Sequence, residues 1–506
     1  MLTLRRLGID AYRENIAFLR RDCAVVRAAD FQVLNRVEIF AVGADGRPNG
    51  RAIRATLNLV DPGAVLQASE LGVSDEAFAQ LGLGEGSAVG IAPASPPASA
   101  DALHAKVMGR SLSEAELRLL VTDVVANRYS KMELAAFVVA AANAFSRDEV
   151  LALTRAMIDA GTRLDWSAQG NTRMIVDKHS IGGIPGNRTS MIVVPIVAAH
   201  GLTCPKTSSR AITSPAGTAD TMEVLARVAL DAQEMRQVVE REHGCLVWGG
   251  HVNLSPADDI FIAVERPLSI DSPEQMVASI LSKKAAAGVT HLVLDLPVGP
   301  TAKLRNTEDA TNLRKLFEYV ADAIGLIIEV IFTDGSQPIG RGIGPVLEAR
   351  DVMAVLRNEP DAPADLRDKS LLLAARMLEF DPALRGGGGM QRARQLLASG
   401  AALAAMQRIM AAQGPPPEQC APAALTMEIK AERSGMIAGI DCLHLARIAR
   451  LAGAPFVKGA GIDLLEKTGA HVQAGQPLYR LHAGLASDLG FALKYALSDN
   501  GYRVSS

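Results

Sequence analysis

Two stretches of this chain collect the residue types that hold an anion. The first, Val176-Asp177-Lys178-His179-Ser180-Ile181-Gly182-Gly183-Ile184-Pro185-Gly186-Asn187-Arg188-Thr189-Ser190, supplies the cation Lys178, the hydroxyls of Ser180, Thr189 and Ser190, and three glycines. Gly182, Gly183 and Gly186 lack a Cβ, so the backbone can turn with positive φ and bring its N–H groups close to an anion. The apolar run 189–200 reads as a buried helix whose N-terminus aims free N–H groups and the positive end of its dipole at the same point. The second stretch, Ser208-Ser209-Arg210-Ala211-Ile212-Thr213-Ser214-Pro215-Ala216-Gly217-Thr218, repeats the pattern with Arg210 as its cation. Each lies between a strand-like and a helix-like apolar run, where α/β folds put phosphate. The pattern suits a small, doubly charged oxyanion. The same residues also read as glycine-rich turns with Lys178 solvated. No Gly-Lys-Ser/Thr ends the loop and no Gly-x-Gly-x-x-Gly occurs in it, so it is neither a Walker A loop nor a dinucleotide fingerprint.

A third set sits on the helical stretch 272–288. Ser279 and Lys283 are four residues apart and share a face, with Ser282 and Lys284 beside them. By charge pattern alone, Lys283-Lys284 is a solvated surface pair. Asp271 precedes Ser272-Pro273 at a helix start, the position of an N-terminal cap. The five cysteines, Cys23, Cys204, Cys245, Cys420 and Cys442, are scattered and never form Cys-x-x-Cys. They read as reduced thiols, neither a disulfide frame nor a zinc site.

The elements that must position these residues follow from periodicity. Residues 1–95 form a β-rich module: runs 33–42 and 52–60 are strand-like, with Ile53, Ala55, Leu57 and Leu59 alternating with polar residues, and 82–94 is placed to close it. A Pro/Ala/Ser linker at 92–99 marks a boundary. Three capping boxes, Ser113-x-x-Glu116, Ser130-x-x-Glu133 and Ser146-x-x-Glu149, start helices near 114, 131 and 147. From about 166 the rhythm is strand, loop, helix, with strands at 174–176, 246–248, 292–296 and 326–332 and helices at 190–200, 218–230, 234–243 and 308–324. That alternation implies a mostly parallel sheet, with ligands at the carboxyl ends of its strands. The glycine-rich segments 340–345 and 386–389 read as turns. Short strands with glycine turns follow from 421. The expected architecture is therefore a multidomain α/β protein: a β-rich N-terminal module (1–95), a small all-helical domain (96–165 with 255–290), an α/β phosphate-binding domain (166–254 with 291–420) with a cleft between domains, and a β-rich (α+β) C-terminal domain (421–506).

With 506 residues, several domains are required. A formal charge of −3 and 4% aromatic residues argue against nucleic acid as a partner. No apolar run reaches the ~18 residues of a membrane span, and the N-terminus lacks a signal-like apolar core. The expected location is cytoplasmic, without a membrane partner.

The runs Asp177-Lys178-His179-Ser180-x-Gly182-Gly183, Thr189-Ser190 and Ala278-Ser279-Ile280-Leu281-Ser282-Lys283-Lys284 resemble those of the thymidine and pyrimidine-nucleoside phosphorylase family. The similarity is greater to its long type 2 branch, which is similar to the AMP phosphorylases, and it covers nearly the whole chain. It implies that inorganic phosphate, a co-substrate, attacks the anomeric carbon of a nucleoside or nucleotide without a cofactor or metal. The most similar activity is conversion of thymidine to thymine and 2-deoxy-α-D-ribose 1-phosphate; the alternative is AMP to adenine and ribose 1,5-bisphosphate. Carried over by motif, Lys178, Ser180, Gly183, Ser190, Ser209, Arg210, Thr213, Ser214 and Thr218 hold phosphate and sugar. Arg266, Ser279 and Lys283 match positions that contact the base in the thymidine enzymes, with Lys303 a further base-binding candidate from the AMP phosphorylase reading. Asp271, His179 and Lys283 are the catalytic candidates, Asp271 being the proton donor in the AMP phosphorylase reading. The second loop departs from the glycine- and histidine-containing loop of the shorter enzymes, and Arg210 is a candidate for a 5′-phosphate. Anthranilate phosphoribosyltransferases share the fold but hold magnesium on acidic residues; Asp258-Asp259 is the nearest such pair, and Lys178-His179-Ser180 argues against them. A homodimer or larger homo-oligomer is the expected assembly.

Overall fold

The computed structural model describes residues 1–12, 14–28, 36–43, 45–63, 65–166, 174–211, 214–252, 254–270 and 272–505. The chain divides into two compact units, Met1–Gly161 with Ser255–Ser282, and Thr162–Leu254 with Lys283–Ser506.

In the first unit six strands close a barrel in the order Leu2–Arg6, Glu70–Val73, Ile16–Arg20, Pro48–Val60, Arg36–Val42 and Ala88–Pro93. The strand Ala88–Pro93 pairs with both Arg36–Val42 and Leu2–Arg6 and so removes the free edges. Ile53, Ala55 and Leu57 fill the barrel with Leu19, Val37, Ile39 and Leu71, as the alternation predicts. The helices Glu114–Val125, Lys131–Ala144 and Arg147–Asp159 each begin at a complete capping box. Each cap satisfies first-turn N–H groups that would otherwise lack partners, worth about 1 kcal/mol. These helices pack with Pro256–Leu268 around Phe137 and Phe261, whose ring centroids are 5.7 Å apart.

The second unit is built on parallel strands. His291–Val298 pairs with Ile327–Asp334 on one side and Val176–Ser180 on the other. Cys204–Ser208 pairs with Gly244–Trp248, and a parallel bridge between Ile175 and Thr203 joins the two ladders. All five strands therefore point the same way, and Ser180, Ser208, Trp248, Val298 and Asp334 share the carboxyl edge. The helices Ser190–His200, Ala364–Leu378 and Ala401–Gln413 bury an apolar core against the sheet. Residues 425–505 add two antiparallel sheets and two helices.

Four expectations need correction. The segment 386–389 is not all turn, since the helix Gly388–Ala398 starts within it. The strand predicted at 174–176 is Val176–Ser180. Asp177, Lys178 and Ser180 are thus strand residues, tolerated because their polar groups have partners there. The helix predicted over 218–230 ends at Glu223, since Val228 O accepts from Trp248 N at 2.9 Å and the segment runs beside that strand. The segment 340–345 is more than a turn: Gly342–Ile343 pairs with Gly461–Leu464, so the C-terminal sheet takes a strand from within the α/β region.

Candidate active site

Lys178 is 2% exposed, and its Nζ donates to Thr189 Oγ1 at 2.6 Å and Ser190 Oγ at 3.3 Å, at the start of the helix Ser190–His200. Its own peptide is clamped on both sides. The Lys178 N–H donates to Asp177 Oδ1 at 2.6 Å, and Lys206 Nζ donates to Lys178 O at 2.7 Å. Lys206 and Lys284 both pair with the buried Asp177, at 3.4 and 2.6 Å. A second buried carboxylate, Asp295, accepts from Ser180 Oγ at 2.6 Å and from Thr333 Oγ1, with Lys369 Nζ 3.0 Å away. Four lysines thus surround two carboxylates, and the region is short of negative charge.

The electrostatics follow. Burial pushes Lys178 well below the ordinary lysine range; Asp295 opposes this, while Lys206, Lys369 and Arg188 reinforce it. Burial also holds His179 well below the usual histidine value, helped by Lys284, Lys206, Lys283 and Lys178, so its imidazole is neutral. Lys284 is lowered by burial to about 8. Burial opposes ionisation of Asp177, yet Lys206 and Lys284 keep it below the ordinary carboxylate range.

The first loop is shaped by a close approach. Gly183 has φ +106°, and a Cβ there would lie 3.0 Å from Lys303 N and 3.2 Å from Lys303 Cγ, so the loop rests on Lys303. In the second loop a Cβ on Gly217 would sit 2.5 Å from Ser209 O. Asp220 Oδ2 closes this loop by accepting from Ala211 N at 2.6 Å and Gly217 N at 2.9 Å. The Arg210 guanidinium donates to Glu223 at 2.8 and 2.6 Å and to Asp220 at 3.1 Å, and lies 4.8 Å from the Trp248 ring centroid. Arg210, with Lys458 Nζ at 2.9 Å, holds Glu223 down at about 2.

The second unit therefore brings together Lys178, His179, Ser180, Gly183, Ser190, Lys283 and Lys303. Ser209 is exposed, Ser214 Oγ donates to Ala216 O at 2.9 Å, and Thr218 Oγ1 accepts from Arg188 at 3.0 Å. Ser180 gives its only hydroxyl proton to Asp295 and must release it before donating to a ligand. Arg266 and Ser279 belong to the first unit, on the helices Pro256–Leu268 and Pro273–Ala286. Thr213 and Asp271 lie outside the described residues. Among the described residues no group of three or more His, Cys, Asp or Glu is placed to hold a metal, and no helix is long and apolar enough to cross a membrane. The sequence reading missed Lys206, Arg188, Asp295, Lys369 and the burial of Lys284. Asp295 had only its place inside an apolar strand run to betray it, and Lys206, in the strand Cys204–Ser208, had no such signal.

Residues 172–403 match the glycosyl transferase family a/b domain, 100–161 match that family's helical bundle domain, and 436–498 match the pyrimidine nucleoside phosphorylase C-terminal domain. A protein of Rhodopseudomonas palustris named "Putative thymidine phosphorylase" is 56% identical over 504 residues, spanning 100% of this chain and 96% of its own. One of the same name from Methylococcus capsulatus is 54% identical over 504 residues, spanning 99% and 96%. The crystal structure of anthranilate phosphoribosyltransferase from Thermus thermophilus shares the fold, with a TM-score of 0.52 at 21% identity over 62% of this chain and 99% of that one. The chain belongs to the thymidine phosphorylase family of pentosyltransferases.

Proposed function

We propose that the protein catalyses phosphorolysis of a pyrimidine nucleoside, thymidine before others, releasing thymine and 2-deoxy-α-D-ribose 1-phosphate. The observation that carries this reading is Lys178: a buried cation aimed at two hydroxyls and a helix N-terminus, in surroundings short of negative charge. Such a place is stabilised by a dianion. A phosphate oxygen forms the new bond to C1′ while the C1′–N bond breaks and its electron pair leaves with the base. Catalysis of this kind is positioning and electrostatic stabilisation. Lys178, Ser180, Ser190 and the backbone at Gly183 hold phosphate, with Ser209, Ser214 and Thr218 closing on phosphate and sugar. Lys283 and the neutral His179 donate to the base carbonyl as negative charge builds there, and Lys303 completes the base contacts of the second unit. No cofactor is needed beyond phosphate as co-substrate, and the enzyme works in the cytoplasm as a homodimer or larger homo-oligomer.

Arg210 favours a nucleoside over AMP, because its guanidinium is committed to Glu223 and Asp220. The test is base release from thymidine, uridine and AMP, with and without inorganic phosphate, by the unmodified protein and Arg210→Ala. Phosphate-dependent thymine release is expected. Adenine release from AMP alone, lost with Arg210, would replace this reading with a nucleotide phosphorylase.

A further inference from the structure

The ladders of the sheet end at Ser180 and Ser208, so strand pairing does not fix how far apart the two anion loops stand. Arg188 spans that gap. It is 8% exposed; its Nη1 donates to Thr218 Oγ1 at 3.0 Å, its Nη2 to Ala216 O at 2.9 Å, and its Nε to Glu348 Oε2. Glu348, 1% exposed in the first turn of the helix Pro345–Leu356, also accepts from Gly344 N at 3.0 Å and Thr221 Oγ1 at 3.4 Å. One guanidinium therefore holds a backbone carbonyl and a hydroxyl of the second loop against a fixed carboxylate. Its own backbone directly precedes Thr189 and Ser190, whose hydroxyls receive Lys178. Only a planar fork reaches three such partners at once; a lysine ammonium is a point charge.

Stability alone is a poor account of this arrangement. A buried ion pair is often matched or exceeded by apolar residues of similar volume. We infer that Arg188, oriented by Glu348, is a positioning residue that sets the spacing of the two anion loops and through it the affinity for phosphate. The inference rests on the phosphorolysis reading.

The test uses the full chain and varies phosphate and thymidine independently for Arg188→Lys and for the double variant Arg188→Met/Glu348→Leu, alongside thermal unfolding. The double variant is expected to keep its unfolding midpoint within a few degrees while the phosphate KM rises roughly tenfold or more. The thymidine KM at saturating phosphate should rise several-fold less than the phosphate KM, and Arg188→Lys should fall between. An unchanged phosphate KM, or equal rises in both KM values, overturns the inference. If the double variant does not fold, Arg188→Lys decides alone by the same criterion. Calorimetric titration of the unmodified protein with inorganic phosphate separates the two levels. The absence of both phosphate binding and phosphate-dependent turnover sinks the phosphorolysis reading itself; binding and turnover with a phosphate KM indifferent to Arg188 sink only the positioning role.

Discussion

Lys284 Nζ lies 2.6 Å from Asp177 Oδ2, and the two residues are 3% and 0% exposed. A pair of adjacent lysines near a helix end ordinarily reads as a solvated terminus. Here the second of them is turned into the core and joined to the carboxylate that accepts the Lys178 N–H. The charge paired with the carboxylate that holds the Lys178 peptide is therefore supplied from a segment more than a hundred residues away in sequence.

Removing Lys284 leaves Asp177 with Lys206 at 3.4 Å as its remaining ion partner. Lys284→Met should cost about 3 kcal/mol, the scale for breaking a buried pair from one side. Asp177→Asn combined with Lys284→Met should not recover that loss, because it leaves the buried Lys206 without its carboxylate partner. Urea unfolding of the three proteins checks this, and a single variant within about 0.5 kcal/mol of the parent would show that Lys206 suffices.

Glu223 makes a prediction about acid. Its folded-state value near 2, set first by Arg210, lies below the ordinary 4.5. Between those values the unfolded chain binds more protons than the folded one. The stability it contributes is present above about 4.5 and is lost as pH falls toward 2. The shift corresponds to about 3 kcal/mol, discounted to roughly 2 because the Arg210 side chain is one-third exposed. Glu223→Gln should lower the unfolding midpoint at pH 6 and flatten its decline between pH 5 and 3. A parallel decline in both proteins would remove Glu223 as the titrating group.

Much of this was readable in the sequence. The three serine–glutamate boxes gave the helix starts because a cap is a local device written in four residues. The alternation at Ile53, Ala55 and Leu57 gave the barrel strand because it faces a core on one side only. The motifs around Lys178 pointed to an anion for a similar reason, since cation, hydroxyls and glycines are adjacent. What the sequence hid is what pairs at long range. Asp295 meets Lys369, and Asp177 meets Lys206, only once the chain is folded, and Arg188 and Glu348 lie 160 residues apart. The strand boundary at Val176–Ser180 was missed because charged residues inside a strand look like a loop until their partners are known.

The depressed lysine makes phosphate binding a proton-linked event. A dianion beside Lys178 offsets the burial that lowers its proton affinity, so binding raises the pH at which this cation loses its proton. Titrations of the protein with phosphate over a series of pH values below the ordinary lysine range, in buffers of different ionisation enthalpy, should show net proton uptake over part of that series and no release. Lys178→Met should abolish the uptake and lower kcat/KM for phosphate by roughly a hundredfold or more. Uptake that persists in the variant would assign the proton to another group.

Two neighbouring glycines give a sharper test of the loop. Gly183 has φ +106° and a Cβ position 3.0 Å from Lys303 N, whereas a Cβ on Gly182 meets no atom within 4 Å. Gly183→Ala must strain the backbone or push the loop off Lys303, at about 1–3 kcal/mol. Gly182→Ala should leave stability within about 0.5 kcal/mol of the parent. If the open space beside Gly182 is where phosphate and sugar lie, that variant raises a KM without touching the unfolding midpoint, while Gly183→Ala moves both. Equal unfolding midpoints for the two variants would mean that Lys303 yields to the added methyl group, and that the loop is held by Arg188 rather than by its contact with Lys303.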